Sequence, residues 1–367
     1  MGYFQHIRKN RNVPLVWYSI GFNLNYLDRL GKMKKIRLID VDNMDKPFKN
    51  WFPNIALMKL SAWHKQQGDQ VSWVESNPDI VYASVVFTEN RHKLYWLKLQ
   101  FPNAEIHIGG SGVDLKLELP KEVDQMMPDY SLYKQKLSMG FLSRGCPNKC
   151  KFCIVGEKEG TKAVPYMRVE DFHDPKHKKV VFLDNNILAL KDWFKENMEY
   201  VKEHNLTVDF NQGLDIRRID KNIIKILKEI KTKELRFAWD SMDSSKQIKK
   251  KINLIEKEFD HMINVGHRVS FYVLVECDTN IIQDLERVHY LRSRNIASYI
   301  MPYQKIYKNQ PEPIRQKHTK SLERYCNKRD EYWRYDNYWE YLKKYYSLPY
   351  YLKILNEWKK LGGKIEC

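Results

Sequence analysis

Cysteine is scarce: the 367-residue chain has six, and none precedes Cys146. So few, spread so unevenly, do not make the disulfide framework of a small secreted domain. With Cys277, Cys326 and Cys367 scattered, the usage fits a reducing, cytoplasmic setting. Long apolar runs are missing too. No stretch approaches the roughly 20 residues that span a bilayer as a helix, so no membrane partner is expected. HIRKNRN followed by PLVWYSIGF imitates a leader peptide, but no small-residue cleavage site follows. Met33 is the alternative start of the compact part, with residues 1–32 an appended extension. Acidic residues are in deficit, 46 against 63 Lys and Arg, leaving a net charge of +17. That excess attracts polyanions, nucleic acid among them. It is equally the lysine-rich composition that an AT-rich genome yields.

What is present supports folded cores: 43% hydrophobic and 13% aromatic residues exclude wholesale disorder over a length suited to about two domains. Apolar, β-branched runs at 36–41, 71–75, 80–87 and 105–110 read as strands, with helical periodicity at 55–67 and 91–100 between them. Such alternation predicts an α/β fold opening with a Rossmann-like parallel sheet over 33–130. A proline-bearing linker containing MMPDYSLY follows. Strands are then expected at 139–144, 180–184, 207–213, 235–240, 269–275 and 297–303. Helices at 190–203, 221–231, 245–265 and 281–294 separate the later ones. Six βα units over 138–305 suit a partial (β/α)6 TIM-type barrel, whose reactive residues belong at the C-terminal ends of strands. Residues 306–367 form a helical, aromatic-rich C-terminal tail.

The clustered cysteines follow the first strand of that second set. RGCPNKCKFC, residues 144–153, spaces Cys146, Cys150 and Cys153 as C-x3-C-x2-C. Thiolates so placed can turn toward one centre and suit zinc or an iron–sulfur cluster. Zinc asks for a fourth protein ligand. Three thiolates on a [4Fe–4S] cluster leave one iron open.

CPNKCKFC, with an aromatic just before the last cysteine, resembles the signature of the radical S-adenosylmethionine superfamily, and the likeness runs over roughly 33–305. The resemblance implies a [4Fe–4S] cluster on Cys146, Cys150 and Cys153. The open iron would chelate S-adenosylmethionine, whose reductive cleavage yields methionine and a 5′-deoxyadenosyl radical. Phe152 would pack beside the adenine. VVFLDNNILAL stands where the superfamily holds the methionine amino group, which makes Asp184, Asn185 and Asn186 candidate acceptors. Asp184 or Asn186 as a helix cap is the alternative reading. Arg217 is a candidate for the carboxylate, against a structural ion pair. Asp240 is a candidate for the ribose hydroxyls, against a cap before Ser244. Asn211, Gln212 and Asp215 are candidates for substrate contact at the same mouth. A reductant such as flavodoxin or ferredoxin is the implied partner, with a small-molecule or nucleic-acid substrate left open.

FNQGLDIRRID, LRFAWD, YVLV and IMPYQK resemble a subgroup carrying a cobalamin-binding-like front domain. DVDNMDKPFKNW lacks the histidine and glycine of the cobalamin loop, which counts against that cofactor; IGGSGVD does resemble the subgroup's glycine-rich loop, or is a tight turn. Glu276-Cys277 stands where the subgroup commonly has glycine after YVLV. The absence of a cysteine array before Cys146 counts against the methylthiotransferase version. In the tail, residues 325–351 hold eleven aromatics among basic residues. Such a stretch grips single-stranded nucleic acid or packs as a helical stripe. A basic nucleic-acid-binding module with a structural metal or cluster site, and a cobalamin-dependent radical methyltransferase, are therefore the competing functions.

Overall fold

The structure, a computed structural model, describes residues 33–265, 267–307 and 309–363. The expected extension 1–32 with its leader-like stretch, and Cys367, lie outside them. The chain is α/β, with parallel sheets followed by a helical C-terminal region. No helix among the described residues is long and apolar enough to cross a membrane.

The first sheet is built from β1 (Lys35–Asp40), β2 (Gln70–Ser72), β3 (Ile80–Ser84) and β4 (Glu105–Gly109). They lie in the order β2-β1-β3-β4, every pair parallel. Alternate side chains leave opposite faces of a strand. Ile36 and Leu38 accordingly pack with Leu57, Leu60 and Tyr82 on one face, and Ile39 and Val41 with Val81, Val85 and Phe101 on the other. Burial on both faces explains why these strands read as near-continuous apolar runs. The helix Ile55–Gln66 starts on Asn54, whose side chain accepts from the Ala56 and Leu57 amides. The helix expected over 91–100 is instead a 3-10 turn, Thr88–Leu94, and a short helix, Leu97–Gln100. Asp42 pins that turn by accepting from the Val86 and Phe87 amides and Asn90 Nδ2.

The segment MMPDYSLY is a staple rather than a loose linker. The Tyr130 hydroxyl donates to the Phe172 carbonyl at 2.5 Å, and that of Tyr133 to Asp40 Oδ2 at 2.7 Å. Both rings share a buried cluster with Met58 and Met139.

The second half contains β5 (Ser138–Gly140), β6 (Ser143–Arg144), β7 (Val164–Pro165), β8 (Lys179–Phe182), β9 (Thr207–Phe210), β10 (Lys231–Thr232), β11 (Leu235–Ala238), β12 (Val269–Val275) and β13 (Ala297–Pro302). One parallel sheet runs β10-β9-β8-β5, another β11-β12-β13. A backbone bond from the Leu214 amide, just past β9, to the Arg236 carbonyl of β11 joins them. Phe182, Phe210, Phe237 and Phe271 belong to one continuous core behind these strands.

The tail is four helices, Thr319–Asn327, Arg329–Arg334, Tyr338–Tyr345 and Leu348–Lys360. Tyr325, Tyr332 and Tyr338 have no exposed surface, and Trp339 and Tyr341 almost none. These five aromatics are thus core here, while Tyr345 stays exposed and Trp333, Tyr335, Tyr346, Tyr350 and Tyr351 are half-buried.

Between tail and sheet lies an ion network with no access to solvent. Arg287 donates to Asp284 Oδ1 at 2.6 Å and to the Trp239 carbonyl at 2.7 Å, while His318 Nε2 meets Asp284 Oδ2 at 3.0 Å. Removing the guanidinium would strand a buried carboxylate. Arg287→Met is expected to lower unfolding free energy by about 3–5 kcal/mol, read from urea denaturation; a loss below about 1 kcal/mol would show that the pair is solvated.

Candidate functional site

The strand expected over 139–144 breaks at Phe141, and the break organises the site. The amides of Leu142 and Ser143 turn away from the ladder and donate to Asp184, at 3.0 and 2.6 Å, and Ser143 Oγ adds a third bond at 2.6 Å. β6 then pairs antiparallel with β7 instead of continuing β5. Asp184 is therefore neither a cap nor the open acceptor anticipated beside the cysteines: its carboxylate holds the exit of the first strand.

Gly145 follows at φ +79°, where a Cβ would stand 2.3 Å from the Lys162 carbonyl oxygen, so only glycine fits. Its amide donates to Glu159 Oε2 at 3.0 Å, and the same oxygen takes Asn185 Nδ2 at 2.9 Å. Glu159 Oε1 pairs with Arg144 at 3.1 Å. Asn185 is thereby committed to the base of the loop. Cys146 is buried, Cys150 and Cys153 are half-buried, and all three thiols are free. Among the described residues, no group of three His, Cys, Asp or Glu side chains stands ready to hold a metal ion. The thiols nonetheless feel one another. Burial, then the neighbouring Cys153, pushes Cys150 up to about 11, with Asp240 adding and Arg217 opposing. Burial likewise raises Cys153, with Cys146 and Asp240 contributing.

Asp215 ties the mouth together. Arg217 grips it with two bonds, Nε to Oδ1 at 2.7 Å and Nη2 to Oδ2 at 3.0 Å. Oδ2 also receives Asn148 Nδ2 from the cysteine loop at 2.8 Å and Asn186 Nδ2 from the loop after β8 at 3.1 Å. Burial alone would raise this carboxyl; the bonds from Arg217, Asn148 and Asn186 outweigh it and hold it below the usual range. The ion-pair reading of Arg217 is the one observed, although its side chain keeps 36% exposure. Asn186 stands at the start of the turn Ile187–Ala189 without making a cap bond. Its amide instead reaches Cys146 Sγ at 3.5 Å, and its Oδ1 is buried with no hydrogen-bond partner.

Asp240 is not the cap before Ser244; Ser241 takes that part by accepting from the Asp243 amide. Burial lifts the Asp240 carboxyl to about 6 against the pull of Arg287 and Arg217. Phe152 is half-buried, and its carbonyl accepts from Gln310 Nε2 at 2.6 Å. Asn211 is held through its backbone, by Phe182 and the Tyr272 hydroxyl, and Gln212 is exposed. The structure thus brings Asn186, Asp215, Arg217 and Asp240 toward the cysteines but leaves Gln212 outside. Glu159, Asn148 and Gln310 were not anticipated; Asn148 alone carried a signal, lying inside CPNKC.

Glu276, standing where glycine was anticipated, has φ +66°. The left-handed conformation that favours glycine is therefore kept. Its carboxylate offsets the strain by accepting from Arg315 at 2.6 Å, the Gln316 amide at 2.9 Å and Thr319 Oγ1 at 2.7 Å. In the front sheet, a Cβ on Gly110 would lie 2.2 Å from the Val85 carbonyl oxygen, and one on Gly112 would lie 2.9 Å from Val85 Cγ1. Close packing against the neighbouring strand accounts for these glycines. Compared with known proteins, the chain matches no protein-family model and no curated protein.

Two outcomes follow from the charges. Burial raises Asp184 to about 6, so the folded chain holds this proton more tightly than the unfolded one. Its stabilising contribution is full below about pH 4 and is lost, by about 3 kcal/mol, as pH rises through about 6. In urea denaturation, the stability of the parent relative to Asp184→Asn should fall by that amount from about pH 4 to about pH 7. A gap independent of pH would mean the carboxyl stays ionised throughout. Removing the Asp240 charge should lower the Cys150 pKa, since a thiolate is then less opposed. Metal-free Asp240→Asn should accordingly react several-fold faster with iodoacetamide at Cys150 at mildly alkaline pH; an unchanged rate would separate the two groups.

Proposed function

We propose that this chain is a radical S-adenosylmethionine enzyme, with its cofactors held at the C-terminal mouth of a partial (β/α)6 barrel over 138–305. A Rossmann-like domain over 33–130 precedes the barrel and a helical region over 306–367 follows. One observation carries the reading. Three free thiols share a single loop leaving the first strand of the second parallel set, and one of them, Cys146, lies 3.5 Å from the side-chain amide of Asn186, whose Oδ1 is a buried acceptor with no partner.

Three thiols spaced C-x3-C-x2-C suit a [4Fe–4S] cluster with one open iron, whereas zinc would ask for a fourth protein ligand. When bound, the cluster and S-adenosylmethionine supply reductive carbon–sulfur cleavage and a 5′-deoxyadenosyl radical. Assembly has to draw the thiols together and deprotonate them, which their raised pKa values oppose until metal charge is present. Asn186 Oδ1 accepts from the ammonium of the methionine portion. Arg217, anchored on Asp215, directs its remaining N–H groups at the carboxylate. Asp240 accepts from ribose hydroxyls, and Phe152 packs beside the adenine. Asp184 and Asn185 serve the loop rather than the ligand. Cobalamin has no part in this reading, because DVDNMDKPFKNW lacks the histidine and glycine of the cobalamin loop. The setting is cytoplasmic and reducing, and the electron donor is a flavodoxin or ferredoxin.

The competing reading, a basic binding module with a structural metal, predicts one zinc per chain and no turnover. Anaerobic reconstitution should give about four iron with matching sulfide. Added S-adenosylmethionine and dithionite should then yield 5′-deoxyadenosine, with both cluster and product lost in Cys150→Ala. A fully loaded cluster that forms no 5′-deoxyadenosine overturns the proposal.

A further inference from the structure

We propose that the recess between residues 315–317 and the last helix, Leu348–Lys360, binds the phosphate backbone of a single-stranded nucleic acid. The recess encloses about 680 Å³, and four cations line it, Arg315, Lys317, Lys353 and Lys360, against one carboxylate, Glu357. One carboxylate against four cations leaves the lining net positive. Lys317, Lys353 and Lys360 pair with no carboxylate among the described residues.

Some lysines on the other long helices reach across to a neighbour's carboxylate, as in Lys202–Glu229, Lys228–Glu258 and Lys249–Glu286, and the three lysines of the recess do not. Unpaired cations gathered along a concavity gain most from a polyanion that follows it, and a positively charged groove tracking a flexible backbone is the single-strand mode of binding. The chain's excess of 63 basic over 46 acidic residues draws the same partner. An anionic membrane fits less well, because a bilayer meets convex faces whereas these cations line a hollow. Arg315 is 61% exposed and bonds Glu276, just past the end of β12, so the recess opens beside the mouth. That the strand's base is the reacting group rests on the radical-enzyme reading; the binding itself does not.

The test uses the full chain without cofactors and a fluorescein-labelled oligouridylate of about 20 nucleotides, with anisotropy titrations between about 50 and 200 mM salt. Lys317→Glu/Lys353→Glu should weaken binding by about 30-fold or more. The uncharged pair Lys317→Gln/Lys353→Gln should flatten the log–log salt slope by about 1.4. Lys195→Glu/Lys225→Glu, the same charge change on other helices, should cost less than about threefold. Thermal melts confirm that each variant folds. The proposal is overturned if the parent does not bind the oligonucleotide. Equal losses in the recess and control pairs, equal affinity for a duplex, or binding to phosphatidylserine vesicles but not RNA would each do the same. None of these readouts depends on S-adenosylmethionine cleavage, so the two proposals stand or fall apart.

Discussion

The buried carboxylate of Asp215, only 8% exposed, joins three separate loops at the mouth of the parallel strands. It takes Arg217 in a two-bond grip, Asn148 from the cysteine loop and Asn186 from the loop after β8. A carboxylate in that position is tolerable only because donors satisfy it on every side. The arrangement also decides what is left for a ligand. Asn186 spends its amide nitrogen on Asp215 and Cys146, which leaves its carbonyl oxygen open, and Arg217 is oriented while still partly solvated.

Two further carboxylates shape the cysteine loop from behind. Asp184 diverts the Leu142 and Ser143 amides from the β5 ladder, and Glu159 collects Gly145, Arg144 and Asn185. Loop amides without such acceptors would be buried polar groups with no partner. The tail contributes in the same way. Glu276 at the end of β12 fastens residues 314–319, and Arg287 and Asp284 bind helix Ile281–Ser293 to His318. The aromatic residues of the tail then seal that junction with their rings, Tyr325 and Tyr332 being wholly enclosed.

Much of this was legible in the chain itself. Apolar periodicity located the strands because burial on both faces of a parallel sheet writes itself into consecutive residues such as IRLID and IVYAS. The spacing of Cys146, Cys150 and Cys153 was equally plain, since ligand geometry within one loop is a local property. Hidden from view were the assignments that depend on competition between partners. Asp184 and Asn186 lie two positions apart in one motif, yet one serves backbone amides and the other faces the thiols. Asp240 and Ser241 are adjacent, and only the second caps the following turn.

Composition, periodicity and cysteine spacing thus determined an α/β chain with a three-thiol loop after a strand, because each is set by residues near one another along the chain. Tertiary structure alone decided which carboxylate meets which cation, that Tyr325, Tyr332 and Tyr338 of the tail are core, and that three unpaired lysines gather with Arg315 along one recess. Those outcomes turn on desolvation and on hydrogen-bond competition between segments far apart in sequence, and neither leaves a local pattern to read.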